Sequence, residues 1–184
     1  MTELAGVSGL AAKQNVFDDF IAAAQWLIDQ KYTSSAKLAA MGGSNGGLLM
    51  GAFVTQHPGL ARAVVSEVGI YDMLRVELDP NGAFNVTEFG TVKDPAEFKA
   101  LLAMSTYHHI RDGVKYPATL FTHGVNDPRV DGHLARLADG PHRAGLEGAQ
   151  ELRPLLDRHE RRALLRNRSV PGRQEVLSRY FRLC

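Results

Sequence analysis

Residues 37–54 read KLAAMGGSNGGLLMGAFV, and this stretch decides the fold class. The apolar run 37–41 predicts a buried strand, and the apolar run after the last glycine predicts a helix. Between them lies the pattern G-x-S-x-G, formed by Gly42, Ser44 and Gly46. A sharp strand-to-helix turn needs neighbours with almost no side chain, because two backbone segments approach closely there. The glycines around the serine are typical of such a turn.

The serine of this turn indicates a nucleophile elbow, in which a strained backbone presents the Ser44 hydroxyl at the carboxyl edge of a parallel sheet. The alternative is a glycine-rich turn with an incidental serine. A phosphate-binding loop is disfavoured, because no Lys-Ser/Thr pair follows the glycines and the spacing G-x-G-x-x-G is absent.

The rest of the first 131 residues predicts alternating helices and strands. Apolar residues recur at helical spacing over Asn15–Gln30, with Asn15 as N-cap and Asp18 and Asp19 in the first turn. The other predicted elements are a helix from Gly47 to about Gln56, a strand over Ala61–Val68, a turn at Asp79–Gly82, a helix over Pro95–Met104 capped by Asp94, and a strand over Pro117–Thr122. This order predicts an α/β fold with a parallel sheet flanked by helices.

Bulk properties narrow the function classes. A length of 184 residues predicts one domain, and a net charge of +1 indicates neither a nucleic-acid nor a membrane partner. No apolar run approaches the roughly 18 residues that span a bilayer. The first residues do not have the pattern of a signal peptide, and the sequence leaves open whether the protein is cytoplasmic or periplasmic. The single cysteine, Cys184, excludes an intrachain disulfide, and we expect no cofactor and no metal site.

Composition changes abruptly near residue 131. Residues 1–131 contain 6 Lys and 4 Arg against 14 acidic residues, whereas 132–184 contain no Lys and 11 Arg against 6 acidic residues. We therefore predict two regions, a catalytic-type domain over 1–131 and an arginine-rich tail over 132–184. The tail is either a segment translated in the wrong frame or a divergent extension. Nucleic-acid binding by the tail is disfavoured, because acidic residues are interspersed and aromatic residues are not.

A serine nucleophile requires a general base and an acid that orients the base. On this type of elbow the acid follows the serine along the chain, and the base follows the acid. Asp127 comes shortly after the strand predicted over 117–122, where the carboxyl edge of the sheet would place it near the elbow. Because a proline follows Asp127, a simple turn-forming role is the alternative.

Three segments together resemble the catalytic domain of the prolyl oligopeptidase family of serine peptidases. They are KQNVFDDF at 13–20, GGSNGG at 42–47 and NDPRV at 126–130, and the resemblance covers about residues 12–131. It implies a partial α/β-hydrolase fold that lacks the family's β-propeller, and hydrolysis of short peptides after proline through an acyl-enzyme. The implied roles are Ser44 as nucleophile, the Asn45 backbone N–H as oxyanion donor, Asp127 as orienting acid and Arg129 as a contact to the peptide substrate.

The chain departs from the family pattern in three ways. Too few residues precede Ser44 for a propeller, and no tyrosine lies among the first 14 residues to donate to the oxyanion. The family's Gly-His-Gly loop is missing after Asp127, where the histidines are His133, His142 and His159. His133 lies close behind the acid, and His159 lies in a charged run, so the base stays unassigned. We expect the fragment to be inactive, and the alternative function is a non-catalytic binding module or pseudoenzyme.

The earlier histidines are expected to be structural or solvated rather than catalytic. They are His57, His108, His109 and His123. An esterase-like hydrolase without a propeller is a third functional hypothesis.

Overall fold

Three parallel strands form the sheet of the computed structural model, which describes residues 13–78 and 82–123. They are β1 (Ala39–Gly43), β2 (Ala63–Glu67) and β3 (Ala118–Thr122), and they lie in the order β1-β2-β3. Both pairs are parallel, and Ala39, Ala63 and Ala118 are aligned across the sheet. The predicted parallel sheet with flanking helices is therefore confirmed.

Five α-helices and one 3₁₀ turn accompany the sheet in the described ranges. The helices are α1 (Lys13–Asp29), α2 (Asn45–Gln56), α3 (Gly82–Phe89), α4 (Pro95–Met104) and α5 (Thr106–His109), and the 3₁₀ turn is Val76–Leu78. Residues 79–81 of the predicted turn lie outside the described residues, and Gly82 begins α3. The bounds predicted for α4 are confirmed, as is its cap, because the Asp94 side chain accepts hydrogen bonds from the N–H groups of Ala96 and Glu97.

The predicted start of α1 is wrong, because the helix already includes Lys13 and therefore contains Asn15. Asp18 lies beyond the first turn for the same reason. Tertiary contacts stabilise the additional residues: Gln14 donates from Nε2 to Gln56 Oε1 at 3.0 Å, and Lys13 Nζ donates to Glu88 Oε1 at 3.3 Å. Contacts with residues 42 and 75 positions away outweigh the local preference of asparagine for a cap.

The expectation that β1 is a buried strand is wrong in both position and burial. The strand begins two residues later than predicted, and Ala40 is its one fully buried residue. Met41 is 52% exposed. Among the described strands β1 pairs with β2 alone, so its outer side has no neighbouring strand within those residues.

The helix α2 lies in the core and fixes the position of the turn that precedes it. Its buried apolar side chains share one cluster with α1 and β2; the members include Phe17, Ile21, Leu48, Met50, Phe53 and Val64. Phe20 and Phe53 meet edge to face with ring centroids 5.5 Å apart. On the side facing α5, a Cβ on Gly51 would lie 2.2 Å from Thr106 Oγ1, so only glycine permits this approach. The helix α2 is consequently held by packing on several sides.

Candidate active site

Ser44 connects the end of β1 to the start of α2 with a strained backbone. Its φ is 58° and its ψ is −119°, and a residue with a side chain at positive φ typically costs about 1–3 kcal/mol. Hydrogen bonds hold the turn on both sides. The Ser44 N–H donates to the Glu67 carbonyl at 2.9 Å, and the Ser44 carbonyl accepts from the N–H groups of Gly47 and Leu48 at 2.8 and 3.2 Å. The turn therefore joins the carboxyl ends of β1 and β2.

The Ser44 hydroxyl does not cap the helix α2. Ser44 occupies the N-cap position of α2, but its side chain makes no capping hydrogen bond. The residue is half-buried. The twelve-residue α2 presents its N-terminus here, and a helix N-terminus favours negative charge nearby. The position suits a group that attacks a carbonyl and leaves a negative oxygen beside the helix terminus.

The glycines around Ser44 differ in what the fold requires of them. A Cβ on Gly42 would lie 2.3 Å from the Gly46 carbonyl oxygen, and one on Gly47 would lie 2.6 Å from Gly69 Cα. A Cβ on Gly46 would meet nothing within 4 Å, and one on Gly43 would make ordinary contacts at 3.6 Å. Close approach therefore requires Gly42 and Gly47, and the sequence alone does not distinguish these two from the others.

A second strained residue follows β2, next to the Ser44 turn. Val68 has a φ of 44°, and its N–H donates to the Thr122 carbonyl at 2.7 Å. A β-branched residue at positive φ is a genuine outlier. Sequence reasoning missed Val68, since no local pattern points to this conformation at a valine.

Asn45 links the turn to two other helices. Its side-chain Nδ2 donates to Glu88 Oε1 at 2.5 Å, and Lys13 Nζ lies 3.3 Å from the same oxygen. Lys13 also lies over the ring of Phe89, 5.1 Å from its centroid. This network connects α1, α2 and α3 beside Ser44. Glu88 could not be identified from the sequence, because its partner Asn45 is 43 residues away.

A buried polar pair, Ser66 and Tyr71, lies beneath the first turn of α2. Ser66 Oγ donates to the Gly47 carbonyl at 3.1 Å, and the Tyr71 hydroxyl lies 2.6 Å from Ser66 Oγ. Burial raises the pKa of Tyr71 well above its usual value, and the hydrogen bonds with Ser66 and the Gly69 backbone offset this only in part. Tyr71 is therefore a neutral hydrogen-bonding group at physiological pH. No motif of the sequence points to either residue.

The described histidines make local contacts or end elements. His108 Nδ1 lies 2.8 Å from Ser105 Oγ, and His109 Nδ1 lies 2.8 Å from the Ser105 carbonyl oxygen. His57 follows α2 directly. His123 follows β3, and both of its ring nitrogens are buried with no hydrogen-bond partner among the described residues. Their structural roles remain a prediction.

Several predicted site residues lie outside the described residues. They are Asp127 and Arg129, together with the histidines His133, His142 and His159. The described part of the chain contains no group of three or more His, Cys, Asp or Glu that could hold a metal ion. No helix within the described ranges has the length and apolar character needed to cross a membrane.

The parallel sheet, the flanking helices and the strained serine turn at the carboxyl end of β1 define an α/β-hydrolase domain. Comparison with protein families identifies a match to the prolyl oligopeptidase family over residues 7–140. The chain belongs to this family of serine peptidases.

Named relatives and solved structures are similar to a large part of this chain. The chain is 45% identical to the prolyl endopeptidase of Dictyostelium discoideum over 119 residues. This aligned stretch covers 64% of this chain and 16% of that protein. It is similar to a solved prolyl endopeptidase with a TM-score of 0.69 and 46% identity, covering 79% of this chain and 20% of the other. Prolyl oligopeptidase B from Galerina marginata, bound to a 35mer hydrolysis and macrocyclization substrate, gives a TM-score of 0.67 and 34% identity over 81% of this chain and 20% of the other. The chain thus spans about one-fifth or less of the length of these relatives.

Proposed function

We propose that Ser44 is the nucleophile of a serine-type peptidase that hydrolyses short peptides after proline. The geometry of the Ser44 turn carries this proposal. Its backbone is strained, its hydroxyl is not used to cap α2, and its N–H is bonded to the end of the neighbouring strand. Strain of this kind persists only where the surroundings impose it, and it is concentrated at functional sites.

In the proposed reaction the Ser44 oxygen attacks the carbonyl carbon of the scissile bond. A base removes the hydroxyl proton, and Asp127 orients that base. The Asn45 backbone N–H, in the first turn of α2, donates to the oxygen that becomes negative, and one such donor lowers the barrier by about 3 kcal/mol. The leaving amine takes the proton, and water then hydrolyses the acyl-enzyme. Arg129 is proposed to contact the peptide near the scissile proline.

The substrate class is supported by the relatives rather than by a pocket. Two of the related proteins are prolyl endopeptidases, and the Galerina protein was solved with a 35mer peptide substrate. The family match over residues 7–140 includes Ser44, and together with 45% identity over 119 residues to a prolyl endopeptidase it supports the same type of acyl transfer for this chain.

The second candidate is a non-catalytic binding module that retains the elbow. It is favoured by one observation of the sequence: none of the histidines after Asp127, which are His133, His142 and His159, stands in a Gly-His-Gly setting. Under this proposal the fold binds peptides at the same edge of the sheet, but Ser44 is not activated.

Labelling with a fluorophosphonate probe distinguishes the two candidates. Labelling of the intact chain at Ser44, mapped by mass spectrometry and abolished by Ser44→Ala, would support the peptidase and overturn the expected inactivity of the fragment. Ser35→Ala is the matched control, because it removes an exposed serine from a loop and should leave labelling unchanged. If the chain has the circular dichroism of a folded α/β protein but is not labelled, the binding-module candidate replaces the peptidase.

Turnover then tests the substrate class. A proline-anilide peptide should be cleaved faster than a simple ester if the chain is a post-proline peptidase. Preference for the ester would instead support an esterase-like hydrolase.

A further inference from the structure

The buried pair Ser66–Tyr71 forms a chain of hydrogen bonds that ends at the backbone of the elbow. Ser66 lies on β2 and is completely buried, and Tyr71 is 1% exposed. Ser66 Oγ donates to the Gly47 carbonyl at 3.1 Å, and Tyr71 Oη lies 2.6 Å from Ser66 Oγ. Gly47 belongs to the first turn of α2, three residues after Ser44.

The number of hydroxyl protons decides which group donates each hydrogen bond. A carbonyl oxygen only accepts, so the single hydroxyl proton of Ser66 is committed to Gly47. The Tyr71 hydroxyl must therefore be the donor to Ser66 Oγ, which requires Tyr71 to be protonated. Its raised pKa, caused chiefly by burial, meets this requirement at neutral pH.

Two consecutive residues of β2 thus hold the elbow at two points. Ser66 holds the Gly47 carbonyl, and the carbonyl of Glu67 accepts from the Ser44 N–H at 2.9 Å. Gly47 is in direct contact with this strand end, because a Cβ there would lie 2.9 Å from the Glu67 oxygen. The first turn of α2 can hardly rotate without breaking one of these contacts.

Tyr71 is itself rigidly placed. Its backbone carbonyl accepts from Ser105 Oγ at 3.1 Å and from the Tyr107 N–H at 3.0 Å. Its ring meets Phe121 of β3 edge to face, with centroids 5.2 Å apart. Tyr71, the donor to Ser66, is therefore anchored to α5 and β3. Through Ser66 it helps to fix the position of the elbow.

We infer that Ser66 and Tyr71 are positioning residues that keep the Ser44 turn in its strained conformation. They act on the turn through the Gly47 carbonyl. This inference rests on the proposed role of Ser44, since the benefit of the strain is a hydroxyl held in one direction for attack. A pair that merely stabilised the core would lower overall stability without loosening the turn in particular.

Amide hydrogen exchange and probe labelling of the whole chain test the inference. The variants are Ser66→Ala, Tyr71→Phe and the double variant. The control is Thr119→Val, which removes a buried hydroxyl from β3 that donates to the nearby Pro117 carbonyl. We expect Ser66→Ala to speed exchange at the Ser44 and Gly47 amides about five- to tenfold under native conditions. Thr119→Val should leave these two amides unchanged.

The single and double variants should differ in a defined order. Tyr71→Phe keeps the bond from Ser66 to Gly47, so its effect on the two amides should be smaller than that of Ser66→Ala. The double variant should resemble Ser66→Ala alone, because the chain has already been interrupted at Gly47. Labelling of Ser44 by the fluorophosphonate should slow about fivefold or more in Ser66→Ala and stay constant in the control.

Equal effects of Ser66→Ala and Thr119→Val on the two amides would overturn the inference, as would an unchanged exchange rate in Ser66→Ala. If the intact chain is not labelled at all, the proposed function fails, but the exchange measurement still decides the positioning role. Should Ser66→Ala not fold, Ser66→Cys retains the volume with a weak donor and should show a smaller acceleration in the same direction.

Discussion

Two helices of this chain begin in opposite ways. At α4, Asp94 has an extended backbone, with φ −96° and ψ 127°, and its carboxylate accepts from two N–H groups of the first turn at 2.8 and 3.0 Å. At α2, Ser44 has a φ of 58° and makes no side-chain cap. Serine and aspartate are both good N-caps. The start of α2 is therefore less stable locally than that of α4. Contacts with the surrounding structure hold Ser44 in a conformation that is unfavourable for a serine.

The supports of the two helix starts also differ in range. The cap of α4 uses residues two and three positions away, whereas the Ser44 turn depends on Glu67, and through Gly47 on Ser66 and Gly69. A local cap is expected to survive most changes elsewhere. The Ser44 turn should be sensitive to changes on β2.

The largest loss of stability is expected from a substitution at Gly47, where the elbow contacts the end of β2. Gly47→Ala should lower the free energy of unfolding by about 2–3 kcal/mol, because the new Cβ would lie 2.6 Å from Gly69 Cα and 2.9 Å from the Glu67 carbonyl oxygen, both backbone atoms. Gly46→Ala is the matched control, with nothing within 4 Å of its Cβ, and should be neutral or stabilising by up to about 1 kcal/mol. Urea denaturation of both variants measures the difference. Equal stabilities would show that the contact with β2 is looser than the structure indicates.

The next prediction is that stability depends on pH through Tyr71, which is bonded to the support of the elbow. Because burial raises the pKa of Tyr71 in the folded state, its contribution to stability is complete below about pH 10 and is lost as the pH rises further. The free energy of unfolding should fall by up to about 1.4 kcal/mol per pH unit above pH 10 from this residue. Denaturation at pH 9, 10 and 11 measures the slope. A Tyr71→Phe variant with the same slope as the original chain would contradict this assignment.

Removing the two N-cap side chains compares the helix starts directly. Asp94→Ala should cost about 1 kcal/mol, because two N–H groups lose their acceptor. Ser44→Ala should cost less than about 0.5 kcal/mol, because the Ser44 hydroxyl makes no cap and alanine keeps the same backbone strain. Thermal denaturation of the pair is the measurement. A larger loss in Ser44→Ala would mean that the hydroxyl does stabilise the elbow.

The smallest effect concerns the charges beside Asn45. Glu88→Gln keeps an acceptor for the Asn45 amide but removes the ion pair with Lys13, so stability should change by no more than about 0.5 kcal/mol. The change should shrink further at high salt, because the pair is partly exposed. Denaturation at low and high ionic strength checks this. A change of several kcal/mol would place Glu88 among the supports of the elbow.

The sequence predicted the strand-turn-helix order and the cap of α4 because both depend on neighbouring residues. The helix from Pro95 to Met104 carries its own start signals, and the glycines around Ser44 are typical of a sharp strand-to-helix turn. The prediction for α1 was wrong because Gln14 and Lys13 find partners far along the chain. Burial of Met41 was overestimated because an apolar strand does not reveal how many strands will flank it.

By itself, the sequence determined the α/β class, the family and the position of the strained serine turn, since each is encoded in short local patterns. Only the tertiary structure decided which glycines are indispensable, which residues hold the turn, and that Val68 is strained beside it. The bond that joins Ser66 to Gly47 connects β2 with α2 across about 20 residues of the chain. No local preference encodes such contacts, because the energy that holds the turn comes from packing and hydrogen bonds formed only after the strands and helices have assembled.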